Sequence, residues 1–179
     1  MAWRPGVFFA VIGVVLLHAA ARAQPAVPDV PNEIAVPPGH KLLFKVEAKG
    51  VQIYKAVPGK SGTPEWVLDA PLADLFDGNA GKAGHHYGNP PSWEAMDGSK
   101  VAKTGDAKSA PAPNPKDDIP WLLVNVKSEE GKAGIFSPAV YIQRLKTEGG
   151  KAPTELPKRV GTKVGVAYKA VYFFYGKAE

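Results

Sequence analysis

Cysteine is absent from the chain. Disulfide bonds, thiol catalysis and thiolate metal sites are therefore excluded, and packing of apolar side chains must hold any folded domain together. The apolar run Val7–Leu17 is also too short for a membrane-spanning helix, which needs about 20 residues. The sequence thus predicts no membrane span in the mature form.

Sequence motifs that mark several enzyme classes are missing as well. There is no Gly-x-Ser-x-Gly elbow, no phosphate-binding loop and no Gly-x-Gly-x-x-Gly fingerprint, so nothing indicates a serine hydrolase or a nucleotide-binding enzyme. Asp117 and Asp118 lack the spacing of a calcium loop and are interpreted as part of a solvated turn. We therefore expect no cofactor and no resident metal, and the sequence singles out no catalytic residue.

The start of the chain has the pattern of a secretory signal. A single charge, on Arg4, precedes the apolar run, and Ala21 and Ala23 place small residues at the two positions that signal peptidase reads. We predict that residues 1–23 are a signal peptide, with cleavage before Gln24. The protein is then periplasmic or secreted.

Positive charge is in slight excess. The chain has 22 basic and 17 acidic residues, and its net charge of +5 becomes +3 when Arg4 and Arg22 leave with the signal. Such a balance is typical of a solvated surface, and with no nucleic-acid motif we predict no nucleic-acid partner. One alternative is adhesion of the basic C-terminal half to anionic envelope polymers. Its basic residues are Lys151, Lys158, Arg159, Lys163, Lys169 and Lys177.

Strand-like alternation dominates the mature sequence. From residue 41 onward, apolar residues recur at every second position, and the 19 glycines and 18 prolines argue against long helices. We predict one all-β domain, an antiparallel sandwich or barrel of about nine short strands. Residues 24–40 form a proline-rich lead-in, and residues 41–179 form the domain.

Turn dipeptides divide this pattern into strands. Lys49-Gly50 is predicted to turn the chain between two strands, and Asp97-Gly98 is predicted to form a hairpin. The apolar segment Ile119–Val126 is predicted to be a buried strand, Ile135-Phe136 a short one, and Val164–Tyr175 the closing strand.

Residues suited to ligand binding concentrate between Gly84 and Gly98. They are His86, Tyr87, Trp93, Glu94 and Asp97. Aromatic faces provide contact area, while a histidine and a carboxylate can orient a ligand. Trp93 follows two prolines and is the aromatic residue expected to face a cleft. We predict a non-catalytic binding or structural domain of the cell envelope, with this segment as its recognition surface for a small molecule or an envelope polymer.

Two other interpretations of the same residues remain open. His86 and Glu94 can act together as a general base or as metal ligands, which would make the protein an enzyme or a metal-dependent protein. Alternatively, the histidine only satisfies a hydrogen bond at a sheet edge. For Trp66 and Trp121, which lie inside predicted strands, core packing is expected. The sequence predicts no oligomeric state.

The order of these motifs resembles the DUF3455 family of exported proteins. The motifs are Val51–Tyr54, Trp66–Phe76, His86-Tyr87, Trp93–Ser99, Ile119–Leu123, Tyr141–Gly150 and Tyr168–Tyr175. The resemblance covers about Val30 to Tyr175 and implies no activity, cofactor or residue role. Family members often carry cysteines at the positions of Ala56 and about Pro157, so the resemblance implies the loss of a cross-link typically worth about 2–4 kcal/mol.

Overall fold

The structure is a computed structural model that describes residues 1, 28–60 and 62–178. The predicted signal segment, apart from its first residue, and the predicted cleavage site lie outside the described residues. Within the described part of the chain, no helix is long and apolar enough to cross a membrane.

Eight antiparallel strands form one sheet. They are β1 (His40–Pro58), β2 (Pro64–Phe76), β3 (Lys82–Tyr87), β4 (Ser92–Ala95), β5 (Lys100–Ala110), β6 (Trp121–Ser128), β7 (Tyr141–Gly149) and β8 (Lys163–Lys177). Each strand pairs with the next, and β8 returns to pair with β1, so the sheet closes into a barrel. The all-β antiparallel prediction is confirmed, and of the two predicted architectures the chain adopts the barrel. The one helical element in the described residues is a 3₁₀ turn, Asn32–Ile34.

The predicted turn at Lys49-Gly50 is wrong, because β1 continues through it. Gly50 lies where β2 crosses closely, and a Cβ atom there would stand 2.1 Å from the carbonyl oxygen of Leu72. Glycine inside a strand pattern can mark such a close approach as well as a turn. The strand is therefore one long element where two short ones were predicted.

One further strand prediction is wrong, and it concerns Ile135 and Phe136. Ile135 and Phe136 belong to the loop between β6 and β7. The Asp97-Gly98 hairpin is confirmed by the pairing of β4 with β5, and the closing strand is confirmed as β8.

One half of the barrel is filled by three phenylalanine rings. Phe44 from β1, Phe174 from β8 and Phe136 from the β6–β7 loop contact one another, with ring centroids 4.6 to 5.4 Å apart. Phe136 and Phe174 belong to the buried core cluster, and the partly buried Phe44 packs against it. We call this region the closed half, because Phe136 fills the barrel from its loop end.

The segment before β1 packs against the outside of the barrel. Ile34 is fully buried there in a second cluster with Leu42 and Phe173. The side-chain amide of Gln143 donates to the Ile34 carbonyl over 2.7 Å, and the Tyr175 hydroxyl donates to the same amide over 2.8 Å. The described part of the proline-rich lead-in thus covers an apolar outer face of the sheet.

Candidate functional site

A cavity of about 340 Å³ occupies the half of the barrel opposite the phenylalanine rings. We call this region the open half. Its polar wall consists of Gln52, His86, Trp93, Lys103, Arg144 and Tyr172, and the remaining wall residues are apolar. Cavities that hold small molecules usually measure about 300–1,000 Å³ and combine apolar walls with a few polar groups. The cavity has that size and composition.

His86 is a buried residue of the cavity wall. Its ring stacks on Trp93 with centroids 4.3 Å apart and meets the Tyr172 ring edge-on at 5.1 Å. Burial, reinforced by the charge of Arg144, lowers the pKa of His86 to about 3. The imidazole is therefore neutral near pH 7, and since its Nδ1 lies 2.9 Å from the Ser92 carbonyl oxygen, Nδ1 carries the proton. Nε2 is left as a hydrogen-bond acceptor.

Two buried N–H donors in the cavity wall have no hydrogen-bond partner among the described residues. They are Nε1 of Trp93 and Nε2 of Gln52. Burial raises the pKa of Tyr168, and the nearby Gln52 amide offsets a small part of that rise, yet no hydrogen bond of normal geometry joins Gln52 Nε2 to a described atom. A buried donor without a partner costs about 1–3 kcal/mol, so native proteins rarely keep one without a reason.

Arg144 brings positive charge into the open half. The side chain lies inside the barrel on β7, and its Nε and Nη2 donate to the Pro120 carbonyl over 3.2 and 2.9 Å. None of the ion pairs between described residues involves Arg144. Burial raises the pKa of Tyr172, and the charge of Arg144 offsets part of that rise. No aspartate or glutamate is among the residues that line the cavity.

The structure divides the predicted site residues between the two faces of the sheet. His86 and Trp93 are neighbours in the cavity wall. Tyr87 and Glu94, each one position further along its strand, lie on the outer face, where the Tyr87 hydroxyl donates to the Glu94 carboxylate. The Lys100 ammonium sits 5.6 Å from the Tyr87 ring. His86 and Glu94 therefore form no pair, because the sheet separates them.

Asp97 lies at the closed half and anchors the loop that carries Phe136. Its carboxylate accepts from the Ile135 amide over 2.8 Å and from the Ser99 hydroxyl over 2.6 Å, and Ser99 in turn accepts from the Phe136 amide over 3.0 Å. The hydrogen bond from Ser99, followed by the bond from Ile135, lowers the pKa of Asp97. A Cβ atom on Gly134 would stand 2.4 Å from this carboxylate. These contacts give Asp97 a structural role.

Two tryptophans and two basic residues that the sequence singles out lie away from the cavity. Trp66 is partly exposed and donates to the Glu155 carbonyl over 2.9 Å, while Trp121 packs against the outer cluster, so neither lies inside the barrel. Two of the C-terminal basic residues, Lys163 and Lys169, form ion pairs with acidic side chains. In the part of the chain that the structure describes, no group of three or more metal-ligating side chains is close enough to hold a metal ion.

Sequence reasoning missed Gln52 and Arg144, since they come from distant strands. Each is a polar residue at an inward position of its strand, Gln52 within Val51–Tyr54 and Arg144 within Tyr141–Leu145. A polar residue at a position that should be apolar is a signal from which the sequence could have indicated this site.

A second depression, of about 550 Å³, lies outside the barrel between the lead-in and the start of β1. Its wall includes Pro28, where the described residues resume. It shares no wall residue with the cavity of the open half, and it supports no site.

The sequence pattern of one family, described as DUF3455 and as a protein of unknown function, matches residues 37–176. No curated protein and no solved structure matches the chain significantly. The match includes all eight strands almost completely, with every residue of the cavity wall. The chain therefore belongs to the DUF3455 family of proteins of unknown function.

Proposed function

We propose that this protein is an exported, non-catalytic binding protein that holds one small molecule in the open half of its barrel. Eight strands enclose an interior that side chains can just fill, or that can hold one small ligand. In this barrel the phenylalanine rings fill one half and leave the cavity in the other. The observation that carries the proposal is the pair of unpartnered donors, on Gln52 and Trp93, in the wall of that cavity.

The unpartnered donors favour a ligand because they destabilise the empty protein relative to a protein with a bound acceptor. Each lowers the stability of the empty barrel, whereas a bound acceptor would restore the missing hydrogen bond. The stacked rings of His86 and Trp93 offer a rigid aromatic surface beside them. Apolar contact would supply most of the affinity, and the polar groups would fix the orientation of the ligand.

The same wall supports binding over catalysis. A histidine general base needs a partner or substrate within hydrogen-bond reach and a pKa near the working pH. His86 has a pKa of about 3, and no carboxylate lines the cavity with it. The enzyme or metal-dependent alternative based on His86 and Glu94 has no support from this arrangement.

Export is the second part of the proposal, and the signal pattern of residues 1–23 supports it. The test is N-terminal sequencing of the protein recovered from the periplasm and the medium. We expect the mature chain to begin at Gln24. A full-length chain confined to the cytoplasm would contradict export without affecting the cavity.

Binding can be tested with a neutral fluorescent probe, N-phenyl-1-naphthylamine, which is small and apolar. We expect its fluorescence to rise on binding with a stoichiometry of one probe per chain. Ala107 lines the cavity, so Ala107→Leu should weaken binding at least about tenfold by filling the space. Ala102, on the same strand but not part of the wall, gives the matched control Ala102→Leu. Absence of saturable binding, or equal loss in both variants, would contradict the proposal.

A further inference from the structure

We infer that the ligand is a compact apolar molecule carrying one carboxylate, held with the carboxylate toward Trp93 and Arg144. This inference rests on the proposed function and adds the chemical class of the ligand. It depends on three features of the cavity: what its polar groups can donate, which charge it contains, and where its apolar wall lies.

The donors of the wall outnumber its acceptors. An indole N–H can only donate, and a guanidinium has five N–H groups and no acceptor. The two bonds from Arg144 to Pro120 use two of those five groups. Gln52 can present either its nitrogen or its oxygen, because the two ends of an amide have nearly the same shape. The inference therefore depends on Trp93 and Arg144, and Gln52 can adapt to the ligand.

The charge of the wall is positive and lacks a counter-charge. Arg144 is nine-tenths buried and, like Lys103 in the same wall, takes part in none of the ion pairs between described residues. A buried charge is costly unless a partner of opposite sign accompanies it. Since the cavity wall contributes no carboxylate, a ligand that brings one would complete the site.

The apolar part of the wall indicates the chemical character of the rest of the ligand. Leu122 and Val124 from β6 and Pro91 from the β3–β4 loop face the same space as the charged groups. A doubly charged or fully polar ligand would leave these residues against polar atoms. An aryl or alkyl body would instead bury apolar area against them, and the cavity volume of about 340 Å³ limits the body to a small one.

The test compares two molecules that differ only in the head group, 4-phenylbutyrate and 4-phenyl-1-butanol. Their affinities for the intact protein are measured by calorimetry at neutral pH, beside the neutral fluorescent probe. We expect the acid to bind about tenfold or more tightly than the alcohol, because charge-assisted hydrogen bonds are the stronger kind. In Arg144→Gln, the ratio of the affinity for the acid to the affinity for the alcohol should fall toward one. Lys103→Gln, which breaks no described hydrogen bond, is a second variant in case the first does not fold, and it should lower the ratio less.

The outcomes separate this inference from the proposed function. If the probe binds but the acid binds no better than the alcohol, the carboxylate is wrong and the binding function stands. If the acid is preferred in the natural protein and the preference survives unchanged in both variants, the assignment to this wall is wrong. If probe, acid and alcohol all fail to bind, both proposals fall together.

Discussion

The two halves of the barrel are built from the same strands but filled in opposite ways. In the closed half, the rings of Phe44, Phe136 and Phe174 contact one another. In the open half, Gln52 and Trp93 line a cavity, and each has a buried donor without a partner among the described residues. The packed half stabilises the fold, whereas the open half leaves space for the ligand that we propose.

Two buried glutamines, one on the outer face and one in the open half, make a second comparison between single residues. Gln143 and Gln52 are each only 1% exposed. The amide of Gln143 donates to Ile34 and accepts from Tyr175, so it joins the lead-in to the barrel. The amide nitrogen of Gln52 has no partner among the described residues. The same residue type therefore stabilises the fold in one place and lowers its stability in the other.

The largest effect is expected in the closed half. Phe136→Ala should lower the free energy of unfolding by about 3–5 kcal/mol, because it removes a buried ring and leaves a void. Urea unfolding followed by tryptophan fluorescence measures it. The neighbouring Ile135 is 60% exposed, and Ile135→Ala is expected to change stability by no more than about 0.5 kcal/mol. Equal effects from the two variants would show that Phe136 does not fill the barrel.

The glutamine pair should respond in opposite directions to the same substitution. Gln143→Met should destabilise the protein by about 1–3 kcal/mol, because it leaves the Ile34 carbonyl and the Tyr175 hydroxyl without their partner. Gln52→Met should raise the free energy of unfolding by about 1 kcal/mol, because an unpaired polar group is replaced by an apolar one of similar size. Thermal and urea unfolding compare the two. Destabilisation by Gln52→Met would mean that its amide has a partner in the empty protein.

A smaller, pH-dependent effect is expected at the anchor of the Phe136 loop. The pKa of Asp97 is lowered in the folded state, chiefly by the bond from Ser99. Asp97 therefore stabilises the fold above its unfolded pKa of about 3.9, and the contribution is lost as the pH falls through the lower folded pKa. Asp97→Asn should destabilise at pH 7 and progressively less toward acid. The exposed Asp106 gives the control Asp106→Asn. If the loss of unfolding free energy in Asp97→Asn did not become smaller in acid, the role of the carboxylate would be contradicted.

The smallest effect is expected on the outer face. Tyr87→Phe removes the hydrogen bond to Glu94 but leaves the ring in place. Because this contact is partly exposed, we expect a loss of no more than about 1 kcal/mol and unchanged binding of the fluorescent probe. Loss of probe binding in this variant would move the site to the outer face and break the comparison between the two halves.

The sequence predicts the strands better than it predicts the site, and particular residues show why. Alternation of apolar residues is a local property, so the closing strand and the Asp97-Gly98 hairpin are predicted correctly. Gly50 is misinterpreted because its reason lies in β2, a distant part of the sequence. The cavity wall combines Gln52 from β1 with Arg144 from β7, and only the closure of the barrel brings them together.

The segment Gly84–Gly98 illustrates the same limit. Its aromatic and titratable residues are correctly seen as unusual, but a period of two sends neighbours to opposite faces. His86 and Trp93 therefore line the cavity, Tyr87 and Glu94 lie outside, and Asp97 anchors a loop. Assigning faces needs the strand register, which the sequence shows only in part.

The most direct test of the open half is the indole N–H signal of Trp93 in a ¹⁵N–¹H NMR spectrum, assigned with Trp93→Phe. We predict that adding 4-phenylbutyrate moves this signal, because the unpartnered donor gains an acceptor. The signals of Trp66, already bonded to Glu155, and of Trp121, outside the cavity wall, should stay in place. A Trp93 signal that remains unchanged at saturating ligand would contradict the account.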